Sequence, residues 1–559
     1  MAWRKRSVTL KPNMNSHTPY HHVTSRRRFY AGLAGVFGLS GLALLCLGIL
    51  WQTGLGQSSI FDLFHNHYFR HVVLITVQQA LLSVAGATII GVAGALAFFR
   101  RDQFFGRHFF LLCCFSAMIM PTSVAALALL KLWGQSGLIV ALFGDNLIPD
   151  RLGLWSVILA HVFFNAPLIM RVSLSSLEAI SPAQRRQAAL LGFSALSYFR
   201  ILEWPAIAAS LASVIGLTFL LCFTSFSLVL LLGGGPSVTT LEVSIYTALR
   251  FEFNLPQAAS LSVIQLVICA IILFCFRLGR LNNAPPTTTQ NSSIMRSDAT
   301  SKLVLGFDIA VLIVIFTLNI LPLILLILSS DFVTGLPILG SHRFFSALYH
   351  SVTLAFGAAA ISLLCAVILA GFSFETTGRG INFLNYLTEI THSLFLIIPA
   401  LVLGTSLFIL LRSYIDIFSH GYWLILVANA LLALPFSYRV IAPALHLHLS
   451  QTDRLCAMMH LTGLKRFFFI TASALRHEFS FAFALSAALS FGDLGIITLF
   501  GSQEFETLPY MLFQFLNRYG APEADILALI LLASAILIYA VIGRLGALWG
   551  RIMSGQTNV

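Results

Sequence analysis

Charge is scarce in this chain. Of its 559 residues, 10% are Asp, Glu, Lys or Arg, against 58% apolar and 12% aromatic, and the mean hydropathy is +0.89. A soluble domain carries about a quarter charged residues, so this composition cannot clothe a water-facing surface. It excludes a soluble enzyme, a disordered chain and a secreted disulfide module. Lysine is scarcer still: it occurs at 5, 11, 131, 302 and 465, and never after a glycine. A Walker-type phosphate loop needs Gly-Lys to hold its nucleotide, so no ATPase site of that kind is expected. The 8 cysteines show neither zinc-ligand spacing nor a disulfide framework. Seven fall in apolar runs, and Cys456 falls in a loop expected on the inside. No paired buried carboxylates and no nucleophile motif point to an enzyme.

What the chain has is long apolar runs. They lie at about 31–51, 70–99, 108–133, 153–175, 204–232, 257–276, 304–329, 348–373, 387–411, 421–445, 479–501 and 524–549. A helix needs about 20 apolar residues to cross a bilayer. The runs are continuous rather than alternating, which excludes a membrane β-barrel. The fold class is therefore all-α, a polytopic membrane protein with about 12 transmembrane helices. The first run is too long for a signal peptide and lacks a small-residue cleavage site. Its flank carries Arg4, Lys5, Arg6, Lys11, Arg26, Arg27 and Arg28 without an acid. If that tail is inside, 26 of the 33 Lys and Arg fall on inside segments and 7 outside. The formal charge of +12 then reflects basic loops on the cytoplasmic face, not nucleic-acid binding. Both ends are expected to be cytoplasmic.

One long polar stretch, LNNAPPTTTQNSSIMRSDATSKL at 281–303, reads as a linker. It leaves six runs on each side. The two sides repeat. Pro167-x-x-x-Arg171-Val172 recurs as Pro435-x-x-x-Arg439-Val440, Ser225-Phe226 as Ser490-Phe491, Thr240-Leu241 as Thr507-Leu508, and Pro256-x-Ala258 as Pro522-x-Ala524. The near-constant offset and the even number of spans make the repeat parallel, about an axis along the membrane normal. The expected organisation is a basic cytoplasmic tail (1–30), a first permease half (31–280), a cytoplasmic linker (281–303), a second permease half (304–549) and a cytoplasmic tail (550–559).

Two inside loops are longer than the rest, about 176–203 and 446–478, and they occupy corresponding places. The first predicts a short amphipathic helix over Pro182 to Ser197, with Leu190, Leu191, Phe193, Leu196 and Phe199 on its apolar side. Such a face needs a protein partner or the lipid interface. Ala188 and Gly192, then nine residues, then Leu202-Glu203-Trp204-Pro205, resemble the EAA loop of ABC importer permeases. The second loop is degenerate. Gly463, with Phe467 after it, stands at the glycine, and Arg476 stands where proline is expected. The glutamate of the pattern is replaced by Arg186 and Ala457.

Further runs resemble the thiamine transport permeases in particular. They are Ala160-His161-Val162-Phe163-Phe164-Asn165-Ala166-Pro167, Gly233-Gly234-Gly235-Pro236, Thr239-Thr240-Leu241-Glu242, Ile245-Tyr246 with Ala248-Leu249, and Ser490-Phe491-Gly492-Asp493-Leu494-Gly495. The resemblance implies a fused double permease of a bacterial inner-membrane importer, working with an ATP-binding cassette dimer below and a periplasmic thiamine-binding protein above. It implies that Ala188, Gly192, Phe193, Pro205, Gly463 and Phe467 lie on ATPase-coupling loops. ATP would sit on the partner, with no cofactor on this chain. Iron(III) permeases are relatives of that family and give the alternative substrate. A secondary transporter is the alternative of another class, but it needs ion sites within the spans and has no use for paired inside loops.

Three acids fall within apolar runs. Asp308 and Glu389 lie near inside ends, where water is expected to reach them. Asp493 is deeper, between Gly492 and Gly495. It either attracts a cationic substrate along the path or fixes a helix break. Tyr246, Phe251 and Trp204 are open to stacking on an aromatic substrate or to plain packing. Asp493, Tyr246 and Glu389 are the candidates for the translocation path. His65, His67 and His71 lack an acid or cysteine to complete a metal site and read as surface residues.

Overall fold

The computed structural model of the chain describes residues 26–55, 65, 67–101, 104, 106–117, 120–134, 137–144, 153–235, 238–278, 302–417, 419–461, 463–501, 505–516 and 522–553. The basic tail to residue 25, the linker over 281–301 and residues 554–559 lie outside these. Among the described residues all regular structure is helical. Among the described residues ten helices are long and apolar enough to cross a membrane, and a bent pair, Asn382–Ile397 with Ala400–Leu411 at 98°, makes eleven. The chain is a multi-pass membrane protein.

The count differs from twelve because the run at 479–501 is broken into pieces too short to count, and other runs are broken as well without being lost. The run at 479–501 is a helix Arg476–Phe491, a break, and a short helix Gly495–Phe500. The run at 204–232 divides the same way into Trp204–Phe223 and Ser227–Leu232. The run at 108–133 is Arg107–Ser116 followed by Thr122–Trp133, with Pro121 in extended conformation before the second piece. Pro399 stands likewise before Ala400–Leu411. Proline cannot continue the preceding helix, yet it suits the start of the next.

The two halves repeat element by element. His67–Arg100 matches His342–Gly378, and Leu154–Glu178 matches Gly421–Met458. Leu241–Arg250 matches Leu508–Leu516, and Leu255–Leu278 matches Pro522–Met553. The two short helices are even anchored alike. Leu241 N–H donates to Thr76 Oγ1 at 2.9 Å, and Leu508 N–H donates to Ser351 Oγ at 2.8 Å.

Each half begins with an arm that leans on the other half. Helix Arg26–Leu55 packs on Leu255–Leu278 of its own half and on 342–378, 382–397 and 400–411 of the second. Helix Lys302–Asn319 packs on 67–100, and Leu321–Ser329 on 122–133. Glycine permits the close approach. Within the first half a Cβ added at Gly54 would meet Ser260 N at 2.8 Å, and across the halves one at Gly94 would meet Ile315 Cδ1 at 2.6 Å. The halves divided by the linker are thus interleaved in space.

Candidate functional site

Two regions carry the features singled out from the sequence: a pair of turns at one end of the bundle, and a crossing of broken helices at its centre.

The first turn begins at Ser181. Its side chain accepts the Gln184 N–H at 3.3 Å, while Gln184 Oε1 accepts the Ser181 N–H at 3.1 Å. This capping box, with Pro182 next, starts the helix Pro182–Leu190. The helix stops where Phe193 N–H bonds Ala188 O at 3.1 Å and Gly192 N–H bonds Ala189 O at 3.2 Å. Gly192 has φ +64°, the left-handed residue that such a stop requires. Ala188 is buried, whereas Leu190 and Leu191 are 87% and 71% exposed. Phe193 is half-buried and Pro205 exposed. A π-turn, Phe199–Glu203, then leads into Trp204–Phe223. The expected helix over 182–197 is therefore two pieces, parted at the glycine.

The second turn corrects the register expected for it. Leu461 N–H bonds Cys456 O at 2.9 Å and His460 N–H bonds Ala457 O at 3.1 Å. This is the same stop, with His460 at φ +52° in the place of Gly192. Gly463, also at positive φ, begins the next short helix instead. The π-turn recurs as Phe467–Thr471, which puts Ser473, not Arg476, in the place of Pro205. Phe467 is half-buried against Phe479, 6.0 Å between ring centroids. The first stretch expected as a loop from 446, with Cys456, is instead the end of the helix Gly421–Met458. The reason is local. No Ser-Pro pair stands there to restart the chain as it does at 181–182. Met458 and Met459 are exposed at this turn.

Each arm is pinned beside a turn by buried charge. Asp308 is fully buried, which corrects the expectation that it reaches water. Its oxygens lie 3.3 Å from Arg100 and 3.0 Å from Arg101, and Arg100 also faces Glu203 of the π-turn at 3.6 Å. In the other half Arg28 pairs with Glu375 at 2.8 Å and Asp453 at 3.1 Å, and Asp453 also takes Arg466. The sequence signal for the first cluster was an acid inside an apolar run near its end, whereas Glu375 and Asp453 of the second lie just outside the apolar runs. Glu389 is 44% exposed, as expected of it, and accepts the Tyr438 hydroxyl at 3.2 Å.

At the centre, four broken segments converge: Pro121–Thr122, Thr224–Phe226, Pro399–Ala400 and Gly492–Gly495. A Cβ on Gly492 would sit 3.3 Å from Pro121 Cα. One on Gly495 would sit 3.7 Å from Ala400 Cβ and 3.9 Å from Phe226 Cδ1. Asp493 Oδ1 accepts the Gly495 N–H at 3.0 Å, which satisfies the first N–H of the outgoing short helix. Nearby, Asn429 Nδ2 donates to Ser490 Oγ at 3.0 Å. Tyr246 is buried and meets Phe226 edge-on at 5.2 Å and Phe251 at 5.5 Å. The breaks match through their hydrogen bonds. Ser225 N–H reaches Cys222 O as Asp493 N–H reaches Ser490 O, and Gly233 N–H reaches Val229 O as Gly501 N–H reaches Ile497 O. Ser225 and Phe226 therefore correspond to Asp493 and Leu494, and not to Ser490 and Phe491 as the dipeptide repeat suggests. Phe226 was missed as a site residue. The signal that would have found it is the cluster Thr224-Ser225-Phe226-Ser227 in the middle of an apolar run.

No protein-family model matches the chain. Curated relatives do. The chain is 34% identical over 503 residues to the thiamine transport system permease protein ThiP of Brucella suis biovar 1, covering 89% of this chain and 91% of that one. It is 33% identical over 546 residues to the protein of the same name from Haemophilus influenzae, covering 94% and 97%. The Escherichia coli K12 protein is 32% identical over 519 residues, covering 92% and 96%. A putative 2-aminoethylphosphonate transport system permease protein, PhnU of Salmonella choleraesuis, is 29% identical over 230 residues, covering 38% of this chain and 78% of that one. The breaks, the paired turns and the interleaved halves thus sit on a chain similar over about nine-tenths of its length to permeases of one kind, and it belongs to the family of thiamine transport system permeases.

Proposed function

We propose that this chain is the membrane path of a bacterial inner-membrane importer that takes up thiamine, driven by a separate ATP-binding cassette dimer and fed by a periplasmic thiamine-binding protein. The observation that carries this is the similarity to thiamine permeases over nine-tenths or more of both chains for two of the relatives above. The turn end of the bundle faces the cytoplasm in this reading, with both chain ends there, as the basic flanks favour. The two turns are the coupling elements. Leu190, Leu191, Met458 and Met459 present apolar side chains that this chain leaves uncovered, the kind of surface a protein partner covers. Ala188, Gly192, Phe193, Pro205, Gly463 and Phe467 shape or border the turns. ATP is bound by the partner, and no cofactor is held here.

Motion of the partner is passed inward in three steps. The turns move with the ATPase. The buried charge clusters at Asp308 and Arg28 carry that motion to the arms. The crossing at 224–226 and 492–495 opens and closes as the two halves rock. Asp493 and Tyr246 border the crossing, and Glu389 borders the route toward the cytoplasm. A Cβ on Gly192 meets nothing within 4 Å, and the strain of a side chain at φ +64° is one that His460 bears at the matching place, so a Gly192→Trp chain still inserts, yet its strained turn and indole spoil the docking face. ATP hydrolysis then proceeds without uptake, and normal uptake by that variant overturns the coupling role.

The substrate is tested by uptake of radiolabelled thiamine in a thiamine-auxotrophic bacterium that lacks its own transporter and expresses this chain with its ATPase and binding protein. Saturable uptake is expected, blocked by unlabelled thiamine and not by an iron(III) complex. Assembly of the three proteins without thiamine uptake overturns the substrate.

A further inference from the structure

The crossing is symmetric in backbone and asymmetric in chemistry. At matching places the first half carries Ser225-Phe226 and the second carries Asp493-Leu494. A point one carbon out from Gly495 lies 3.5 Å from Asp493 Oδ1 and 3.9 Å from Phe226 Cδ1. A carboxylate of one half and an aromatic ring of the other therefore border one notch, with Tyr246 behind the ring. Asp493 is half-buried, and the buried acids other than Glu242 are matched to cations of this chain. Asp308 has Arg100 and Arg101, Asp453 has Arg28 and Arg466, Glu375 has Arg28, Glu506 has Arg343 and Asp525 has Lys131. Glu242 is held by Gln265 at 2.7 Å. Among the described residues Asp493 forms no ion pair with Lys, Arg or His; its hydrogen bonds come from neutral groups.

We propose that Asp493 is the counter-charge for an aromatic cation passing the crossing, and that Phe226 is the ring that slides against that cation and fills the Gly495 notch when the crossing is shut. An aromatic cation satisfies both groups at once, its charge on the carboxylate and its ring on the aromatic face. The proposal rests on the reading of the chain as a thiamine importer, because thiamine presents a positively charged thiazolium ring. It adds that the charge acts by its place on the axis, so the matching position in the other half serves equally.

The test uses the full chain reconstituted with its ATPase and binding protein, and compares the wild type with Asp493→Asn, Asp493→Glu and the double variant Asp493→Asn with Ser225→Asp. The rate of radiolabelled thiamine uptake and the stimulation of ATP hydrolysis by loaded binding protein are both read. Asp493→Asn is expected to lower uptake by about tenfold or more while the complex still assembles and hydrolyses ATP. Asp493→Glu and the relocated acid at 225 are expected to restore a large part. Uptake by Asp493→Asn within about twofold of wild type overturns the proposal. So does a loss that neither glutamate nor the acid at 225 restores, since Asp493 then only caps Gly495 N–H. A wild-type complex that takes up no thiamine at all overturns the importer reading, and this proposal with it.

Discussion

Replacing Asp308 by Asn removes one negative charge from a site with no access to water. Its two oxygens lie 3.3 and 3.0 Å from Arg100 and Arg101, whose side chains are 9% and 22% exposed. Two guanidinium groups are left facing a neutral amide. Removing one partner of a buried pair typically costs about 3–5 kcal/mol, because the other charge stays buried and unmatched. Two features moderate the loss in this chain. Arg100 keeps Glu203 at 3.6 Å, and Arg101 has some exposure through which to reach water. We therefore expect a loss of about 2–3 kcal/mol, just below the usual range for a broken buried pair. The assay is denaturant unfolding of the purified chain in detergent micelles, followed by tryptophan fluorescence. The double variant Asp308→Asn with Arg101→Gln should cost less than the two single losses added together, because the second change removes one of the stranded charges. A single Asp308→Asn variant within about 0.5 kcal/mol of wild type, the range of ordinary surface changes, refutes the reasoning. The arm would then not be pinned by charge, and Asp308 would face water.

Further outcomes follow from backbone and packing. His460 holds the left-handed position that Gly192 holds in the other half. His460→Gly should stabilise the second turn by about 1 kcal/mol, seen as slower amide exchange over 456–461. Gly492 and Gly495 should differ. A methyl group on Gly492 presses on Pro121 at 3.3 Å, whereas on Gly495 its nearest contacts are 3.5–3.9 Å. Gly492→Ala should therefore lose about 1 kcal/mol or more of stability by overpacking and slow uptake, while Gly495→Ala unfolds like the wild type and slows uptake only by filling the notch beside Phe226.

Much of this architecture was legible in the sequence because the bilayer leaves few choices. Apolar runs longer than a soluble helix needs, basic residues on alternate loops and the recurrence of Pro167 as Pro435 establish an all-helical membrane protein of two like halves. What periodicity and hydropathy do not carry is where a helix breaks inside an apolar run. Phe226 and Leu494 look alike to a hydropathy window whether the helix runs through them or stops. The stop is set by a few hydrogen bonds, such as Asp493 to Gly495 N–H. The turns show the same limit. Gly463 is a glycine near the right place, yet the backbone stops three residues earlier at His460, a residue that a search for glycine passes over. Long-range pairing was the least legible part. Arg28 finds Asp453, 425 residues away, and Asp308 finds Arg100 and Arg101. Both pairings depend on arms that cross into the other half, and no local pattern reveals that crossing. Asp493, Tyr246 and Phe226 were quoted in the sequence as separate motifs, and only the fold brings them to one place.

The central claim is that this chain carries thiamine when, and only when, a separate ATPase turns over beneath it. The most direct measurement places the purified chain, its ATPase and its binding protein in proteoliposomes with ATP on the ATPase side. Radiolabelled thiamine is then followed from the binding-protein side, with and without the ATPase. Accumulation that requires both ATP and the ATPase, and that is indifferent to a proton or sodium gradient, is the predicted result. Thiamine movement by the chain alone in response to an ion gradient would contradict the account, because the paired turns would then have no partner to couple.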